Sequence, residues 1–279
     1  SVCYPTESTI ACSFDKELLF RLGKTLGKEA RANSSDMVLG PGVNIKRTPL
    51  CGRNFEYYSE DPVVSGELGA AFINGLQSVG VSCCVKHFAC NNIEYRRNFS
   101  DSRMTERTLR EIYLKAFEII VKKASPRAIM CAYNLVNGVF CSENRKLLTD
   151  VLRGEWNFGG IVVSDWGAVV NEAAAVKAGL DLAMPEGEIY KRLKLSYDKG
   201  EITETEISAA ADRVAKFVLD CVDNRKKYVE LFDRDSALAL VKTAARESVV
   251  LLKNENNFFP LKSGEKILFT GDATEDTPY

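Results

Sequence analysis

The sequence predicts an α/β fold in which parallel strands are covered by helices on both faces. Two observations lead to it. Short apolar runs without strict alternation, such as Val81 to Phe88, Ala128 to Ala132 and Gly160 to Val163, read as strands buried on both sides, and each leads through polar residues to a segment of helical spacing. The second is composition: 46% of the 279 residues are hydrophobic and 27% charged, enough for one large core or two smaller ones. Disorder and membrane spanning both fit this profile poorly.

Ser1 to Tyr4 reads as the end of a strand. From Phe14 to Ala30, Leu18, Leu19, Leu22, Leu26 and Ala30 recur at helical spacing, with Ser13 placed as the cap. Met37 to Leu39 is a short strand that stops at Gly40, Pro41 and Gly42. After the Val81 to Phe88 strand, Leu109, Ile112, Ala116 and Ile119 mark a helix. Another helix begins near Ser142, between the strands at 128 and 160, and Leu182 to Met184 forms a last strand closed by Pro185. Two helices follow. The first opens with a Thr203 and Glu206 capping box, flanked by Ile202 and Ile207 as a staple, and carries the stripe Ala210, Val214, Phe217 and Cys221. The second runs from about Ser236 to Leu252, after which Asn254 to Pro260 is a linker and Lys266 to Phe269 a fresh strand. About six strands emerge where a closed (β/α)8 barrel needs eight.

Thirty-seven Lys and Arg against thirty-eight Asp and Glu give a formal net charge of −1, so no long-range field recruits nucleic acid or an anionic membrane. The expected partner is small and uncharged, or is handled by a local pocket. Nine cysteines without CxxC spacing suit a reduced, cytoplasmic protein, and a single histidine, His87, argues against a zinc site. No metal or cofactor is expected.

In parallel α/β architectures chemistry gathers at the C-terminal ends of the strands. Those ends carry Lys86 and His87, Tyr133 and Asn134, and Asp165 and Trp166. Such side chains can hydrogen-bond hydroxyls and stack on a sugar face. Taken locally, Asp165 reads best as the N-cap of the next helix, and Tyr133 as a core tyrosine with a satisfied hydroxyl. Arg53 lies in a segment, Gly52 to Pro62, dense in donors and aromatics. That segment reads either as a solvated loop with a proline stop or as the carrier of an arginine that recognises hydroxyls.

Taken together, LCGRNFEYYSEDP (Leu50 to Pro62), KHF (Lys86 to Phe88), CAYNLVNG (Cys131 to Gly138) and SDW (Ser164 to Trp166) resemble, in this order, the catalytic barrel of glycoside hydrolase family 3, in its β-glucosidase and β-xylosidase branch. The resemblance implies a (β/α)8 TIM-type barrel over 1–253 that lacks its first strand or strands, then a linker and the first strand of an α/β sandwich domain over 254–279. It implies a retaining, exo-acting β-glycosidase, a β-glucosidase foremost, working on β-glucosides, β-xylosides or oligosaccharides. By the same resemblance Asp165 is the nucleophile of a covalent glycosyl intermediate, which displaces the local reading as a cap. Arg53, Lys86, His87 and Arg97 match the residues that bind sugar hydroxyls, Tyr133 sits beside the nucleophile, and Trp166 borders the leaving group; Asn134 and Glu94 stand behind them.

A retaining mechanism needs a second carboxylic acid roughly 5–5.5 Å from the nucleophile, and Arg53, Lys86 or Arg97 nearby would favour the nucleophile's charged form. Among Glu56, Glu60, Glu94 and Asp101 none matches the family's acid, and Ala89, Cys90, Asn91 and Asn92 replace the glycine-rich stretch that carries a histidine acid in another branch. By the same resemblance the acid lies in the α/β sandwich that follows the barrel and the aspartate that grips two sugar hydroxyls near the first barrel strand, so both are expected from another segment or a partner chain. The sequence leaves a homo-oligomer open. The alternative is a catalytically inactive, sugar-binding remnant of such a barrel.

Overall fold

The computed structural model describes residues 1–270 apart from Glu186, Glu230 and Phe269. Ser1 to Tyr4 forms no strand: the Val2 N–H donates to Glu29 Oε1 at 2.9 Å, so it faces a helix instead of a sheet neighbour. Helix α1 (Glu7–Ala11) leads to α2 (Lys16–Ala32), whose cap is Asp15 and not Ser13. Asp15 Oδ1 accepts from the N–H groups of Glu17 and Leu18 at 2.8 and 3.2 Å, while the Ser13 hydroxyl turns back to the Ile10 carbonyl.

Strand β1 (Met37–Val38) is followed by α3 (Pro62–Ser78). Pro62 is no stop here. It occupies the first helical turn, where its missing N–H has no intrahelical partner to lose, and Asp61 caps the turn by accepting from Val63 and Val64. Helices α2 and α3 touch backbone to backbone at Gly23 and Gly75; a Cβ on either would stand 2.1 Å from a carbonyl oxygen of the other helix.

Next come β2 (Ser82–Phe88), β3 (Asp101–Ser102), α4 (Glu106–Thr108), a π-wound turn at Leu109–Tyr113, and α5 (Lys115–Ala124). Then β4 (Ala128–Cys131) leads to a hairpin of β5 (Leu135–Val136) and β6 (Val139–Phe140). A π-wound helix, Lys146–Glu155, precedes β7 (Ile161–Ser164), and the remaining helices are α6 (Glu172–Ala178), α7 (Ile189–Asp198), α8 (Glu204–Lys227) and α9 (Arg234–Glu247).

Strands β1, β2, β4 and β7 form one sheet in that order, all parallel, and the sheet continues through a bridge between Val163 and Leu182. The run at 182–184 thus contributes one paired residue, not a strand. A small second sheet joins β3, β5 and β6. The main sheet is apolar on both sides, as its continuous runs require. Cys83, Val85, Ile129, Cys131 and Val162 share a core with Ile73, Leu76, Phe117 and Ile120 of α3 and α5. Cys84, Ala128, Met130, Ile161 and Val163 form a second core, against which Val214 and Phe217 of α8 pack. This second face is the one that the interior of a barrel would line with further strands. Among the described residues the sheet does not close on itself, and a helix covers that face instead.

The capping box of α8 is present: Thr203 Oγ1 accepts from the Glu206 N–H and Glu206 Oε2 from the Thr203 N–H. Helix α9 ends at Glu247, five residues short of the expected Leu252, and Val249 to Leu252 stand exposed. Lys266 to Leu268 form no strand; Ile267 and Leu268 are exposed, and a strand needs a hydrogen-bonded neighbour. Phe269 and Gly271, the end of that expected strand, lie outside the described residues.

Candidate active site

The site grows from the C-terminal end of β2. There Gly42 bridges in parallel to both Lys86 and Tyr57, and the Val43 N–H donates to the Lys86 carbonyl at 2.8 Å. A Cβ at Gly42 would lie 2.5 Å from the Glu56 carbonyl oxygen and 2.8 Å from the Tyr57 ring, so only glycine lets the chain pass so close. This bridge sets Glu56 and Tyr57 beside Lys86 and His87.

Glu56 is the hub for two of the expected hydroxyl binders. Its Oε1 accepts from Arg53 Nε, and its Oε2 lies 3.1 Å from Lys86 Nζ. Burial pushes the Glu56 carboxyl upward, but the hydrogen bond from Arg53 and the charge of Lys86 outweigh it and hold the group below its usual value.

His87 is 1% exposed. Asn44 grips its backbone from both sides, donating to the His87 carbonyl at 2.9 Å and accepting from its N–H at 2.8 Å. On the ring, Nδ1 lies 3.2 Å from the Tyr57 hydroxyl, and Nε2 lies 3.5 Å from Asp165 Oδ2. Burial, reinforced by the charges of Arg53, Lys86 and Arg97, pushes His87 well below its ordinary value, so the imidazole is neutral.

Asp165 follows β7 and is 8% exposed. It caps no helix, for the next one, α6, begins at Glu172 with Asn171 as its cap. Its Oδ1 accepts from the Trp166 N–H at 2.8 Å, whereas Oδ2 is buried without a hydrogen bond. A buried acceptor left open in this way calls for an explanation. Tyr133 donates its hydroxyl to the Trp166 carbonyl at 2.8 Å, and Arg97 lies over the Tyr133 ring at 4.4 Å. Burial, then the nearby Asp165, raises the Tyr133 hydroxyl, which remains a neutral phenol. Arg97 also pairs with Glu94 at 2.7 Å, and Trp166 is 46% exposed at the rim.

The structure brings Asp165, His87, Tyr133, Trp166 and Arg97 into one series of contacts, and joins Arg53 and Lys86 through Glu56, whose chain neighbour Tyr57 reaches His87. The cations differ from expectation in their partners: Arg53 and Lys86 converge on Glu56 and Arg97 on Glu94, while the neutral His87 is the group that faces Asp165. Asn134 has a backbone role, donating to the carbonyls of Ala89 and Leu135. The sequence points to Glu56 only as a carboxylate that does not match the acid, and singles out none of Tyr57, Asn44 and Asn91 for the site. For Glu56 a signal existed, since it follows Arg53 by three residues across a single 3-10 turn, Asn54–Glu56. Nothing local marks Asn44. Among the described residues no group of three or more His, Cys, Asp or Glu is placed to hold a metal ion.

The chain is similar to proteins of known family. Residues 2–217 match the model of the glycosyl hydrolase family 3 N-terminal domain. The chain is 49% identical over 281 aligned residues to thermostable β-glucosidase B of Acetivibrio thermocellus, covering 100% of this chain and 37% of that protein. It is 42% identical to an exo-α-(1→6)-L-arabinopyranosidase of Bifidobacterium breve, over 95% of this chain and 35% of the relative. The chain therefore spans little more than a third of the length of these relatives. Among solved structures, β-glucosidase 3B of Thermotoga neapolitana in complex with α-D-glucose superposes with a TM-score of 0.86 at 42% identity, over 91% of this chain and 37% of that one. The β-glucosidase of Kluyveromyces marxianus gives 0.89 at 39% identity, over 93% and 34%. With a family model matching most of its length and relatives that share its fold, this chain belongs to glycoside hydrolase family 3.

Proposed function

We propose that the chain supplies the nucleophile and the nonreducing-sugar site of a retaining, exo-acting β-glycosidase whose substrate is a β-glucoside. One observation carries the reading: a buried carboxylate, Asp165, keeps one oxygen free of hydrogen bonds at the end of a parallel strand, next to side chains suited to sugar hydroxyls. In the first step Asp165 Oδ2 attacks the anomeric carbon, the bond to the leaving oxygen breaks, and an acid gives that oxygen a proton. Water then displaces Asp165 with the same group acting as base. Lys86, Arg53 and Arg97 donate to hydroxyls of the bound sugar, Tyr133 holds the Trp166 segment beside the nucleophile, and Trp166 flanks the leaving group.

The acid needs a proton to give. Glu56 is engaged by Arg53 and Lys86 and held below its usual value, and Glu94 is taken by Asn91 and Arg97. We assign the acid to another segment or a partner chain. The substrate names borne by the relatives, β-glucosides and an α-(1→6)-L-arabinopyranoside, make glucose the first sugar to test and arabinopyranose the second.

The test uses the 279-residue chain with two donors. Turnover of an unactivated alkyl β-glucoside is expected to be negligible, while a dinitrophenyl β-glucoside, whose leaving group needs no proton, reacts and is accelerated by azide to give the β-glucosyl azide. Ready hydrolysis of the alkyl glucoside would place an acid within the chain, an α-azide would mean single displacement, and inertness towards both donors would favour a sugar-binding remnant.

A further inference from the structure

We propose that Tyr57 is a positioning residue, whose hydroxyl donates to His87 Nδ1 and so fixes the imidazole as the tautomer that carries its proton on Nε2, facing Asp165. The inference deepens the glycosidase reading and rests on it for its catalytic meaning.

The direction of each hydrogen bond follows from its neighbour. A carboxylate oxygen of Glu94 can only accept, so the Asn91 atom 3.1 Å from Oε1 is the amide nitrogen Nδ2. The same nitrogen lies 3.2 Å from the Tyr57 oxygen, which must accept its second hydrogen. Tyr57 is fully buried, and burial raises its phenol, so it keeps its own proton and needs an acceptor for it. His87 Nδ1, at 3.2 Å, provides one.

The other neighbour of Nδ1 agrees. Asn44 is oriented by its two bonds to the His87 backbone, which leave its Oδ1, an acceptor, 3.4 Å from Nδ1. A proton on Nδ1 would therefore lie between two oxygens, but the Tyr57 proton would lose its acceptor. The lone pair of Nε2 would then face Asp165 Oδ2 at 3.5 Å, acceptor against acceptor. In the assigned tautomer the series runs donor to acceptor from Asn91 to Tyr57 to His87, and the Nε2–H faces the open Asp165 Oδ2 at 3.5 Å. The Nε2–H is then available to the nucleophile's open oxygen or to a sugar hydroxyl beside it.

His87 is the sole histidine of the 279 residues, so a chain labelled with 15N at histidine gives one imidazole spin system. The wild-type spectrum is expected to show a neutral ring with a protonated Nε2 and a pyridine-like Nδ1. In Tyr57→Phe the ring is expected to move toward the Nδ1-protonated form, and the rate at which a fluoroglucoside labels the enzyme to fall about tenfold. A proton on Nδ1 in the wild type, or an imidazolium, overturns the proposal even if the variant fails to fold. So does a folded Tyr57→Phe chain with an unchanged tautomer. The spectrum is independent of turnover: a protonated Nε2 in a chain that takes no sugar onto Asp165 would remove the glycosidase reading alone.

Discussion

At His87 the folded chain resists a proton that the unfolded chain accepts. As pH falls below the ordinary value of 6.5, the unfolded state takes up that proton while the folded state, whose imidazole is pushed well below it, does not. The associated stability is complete above 6.5 and is lost as pH drops toward the folded value, by up to ~1.4 kcal/mol per pH unit. Thermal melts between about pH 8 and pH 5 should show this decline, and His87→Gln should flatten it. A second buried group makes a prediction about the opposite end of the sheet. The Asp181 carboxylate has no exposed surface and accepts from Arg153, Arg213 and the Val162 N–H at 2.5, 2.6 and 2.7 Å. Asp181→Ala leaves the guanidinium of Arg153 without its counter-charge, and urea denaturation should register a loss of about 3–5 kcal/mol.

At the scale of elements, the site depends on a crossing of backbones at Gly42. A methyl group there meets the Glu56 carbonyl, so Gly42→Ala must displace the loop that carries Glu56 and Tyr57. The expected cost is about 1–3 kcal/mol of stability, with a larger proportional loss of sugar labelling than any surface alanine causes. This crossing also explains what could be read in advance. Strands such as Ala128–Cys131 and Ile161–Ser164 announce themselves through continuous apolar runs, and their polar ends, Tyr133, Asp165 and Trp166, come with them. Tyr57 and Asn44 reach the site through contacts between segments distant in sequence, which no local pattern encodes, and of the contacts of Glu56 only the pairing with Arg53 is local. Helix α3 escaped notice for a different reason. Its buried residues, among them Leu68, Ala70, Phe72, Ile73 and Leu76, lie on more than one side, so no single helical stripe stands out, and its opening proline imitates a stop.

Across the whole molecule, a formal net charge of −1 means that little long-range electrostatic work accompanies the arrival of a neutral sugar. Glucose affinity measured by calorimetry should therefore change little as salt is raised; a steep salt dependence would indicate a charged ligand. The fold places the network of Glu56, His87 and Asp165 at one end of a sheet whose far face is covered by α8: His87 stands on β2, Asp165 directly follows β7, and Glu56 arrives on a 3-10 turn. Whether that network makes a glycosyl-enzyme is decided most directly by trapping one. The protein is incubated with a 2-deoxy-2-fluoro-β-glucoside bearing a dinitrophenolate leaving group, digested, and the modified peptide sequenced by mass spectrometry. The adduct is expected on Asp165; an adduct on Glu56, Glu94 or any other residue, or turnover of the glucoside with no adduct at all, would contradict the assignment.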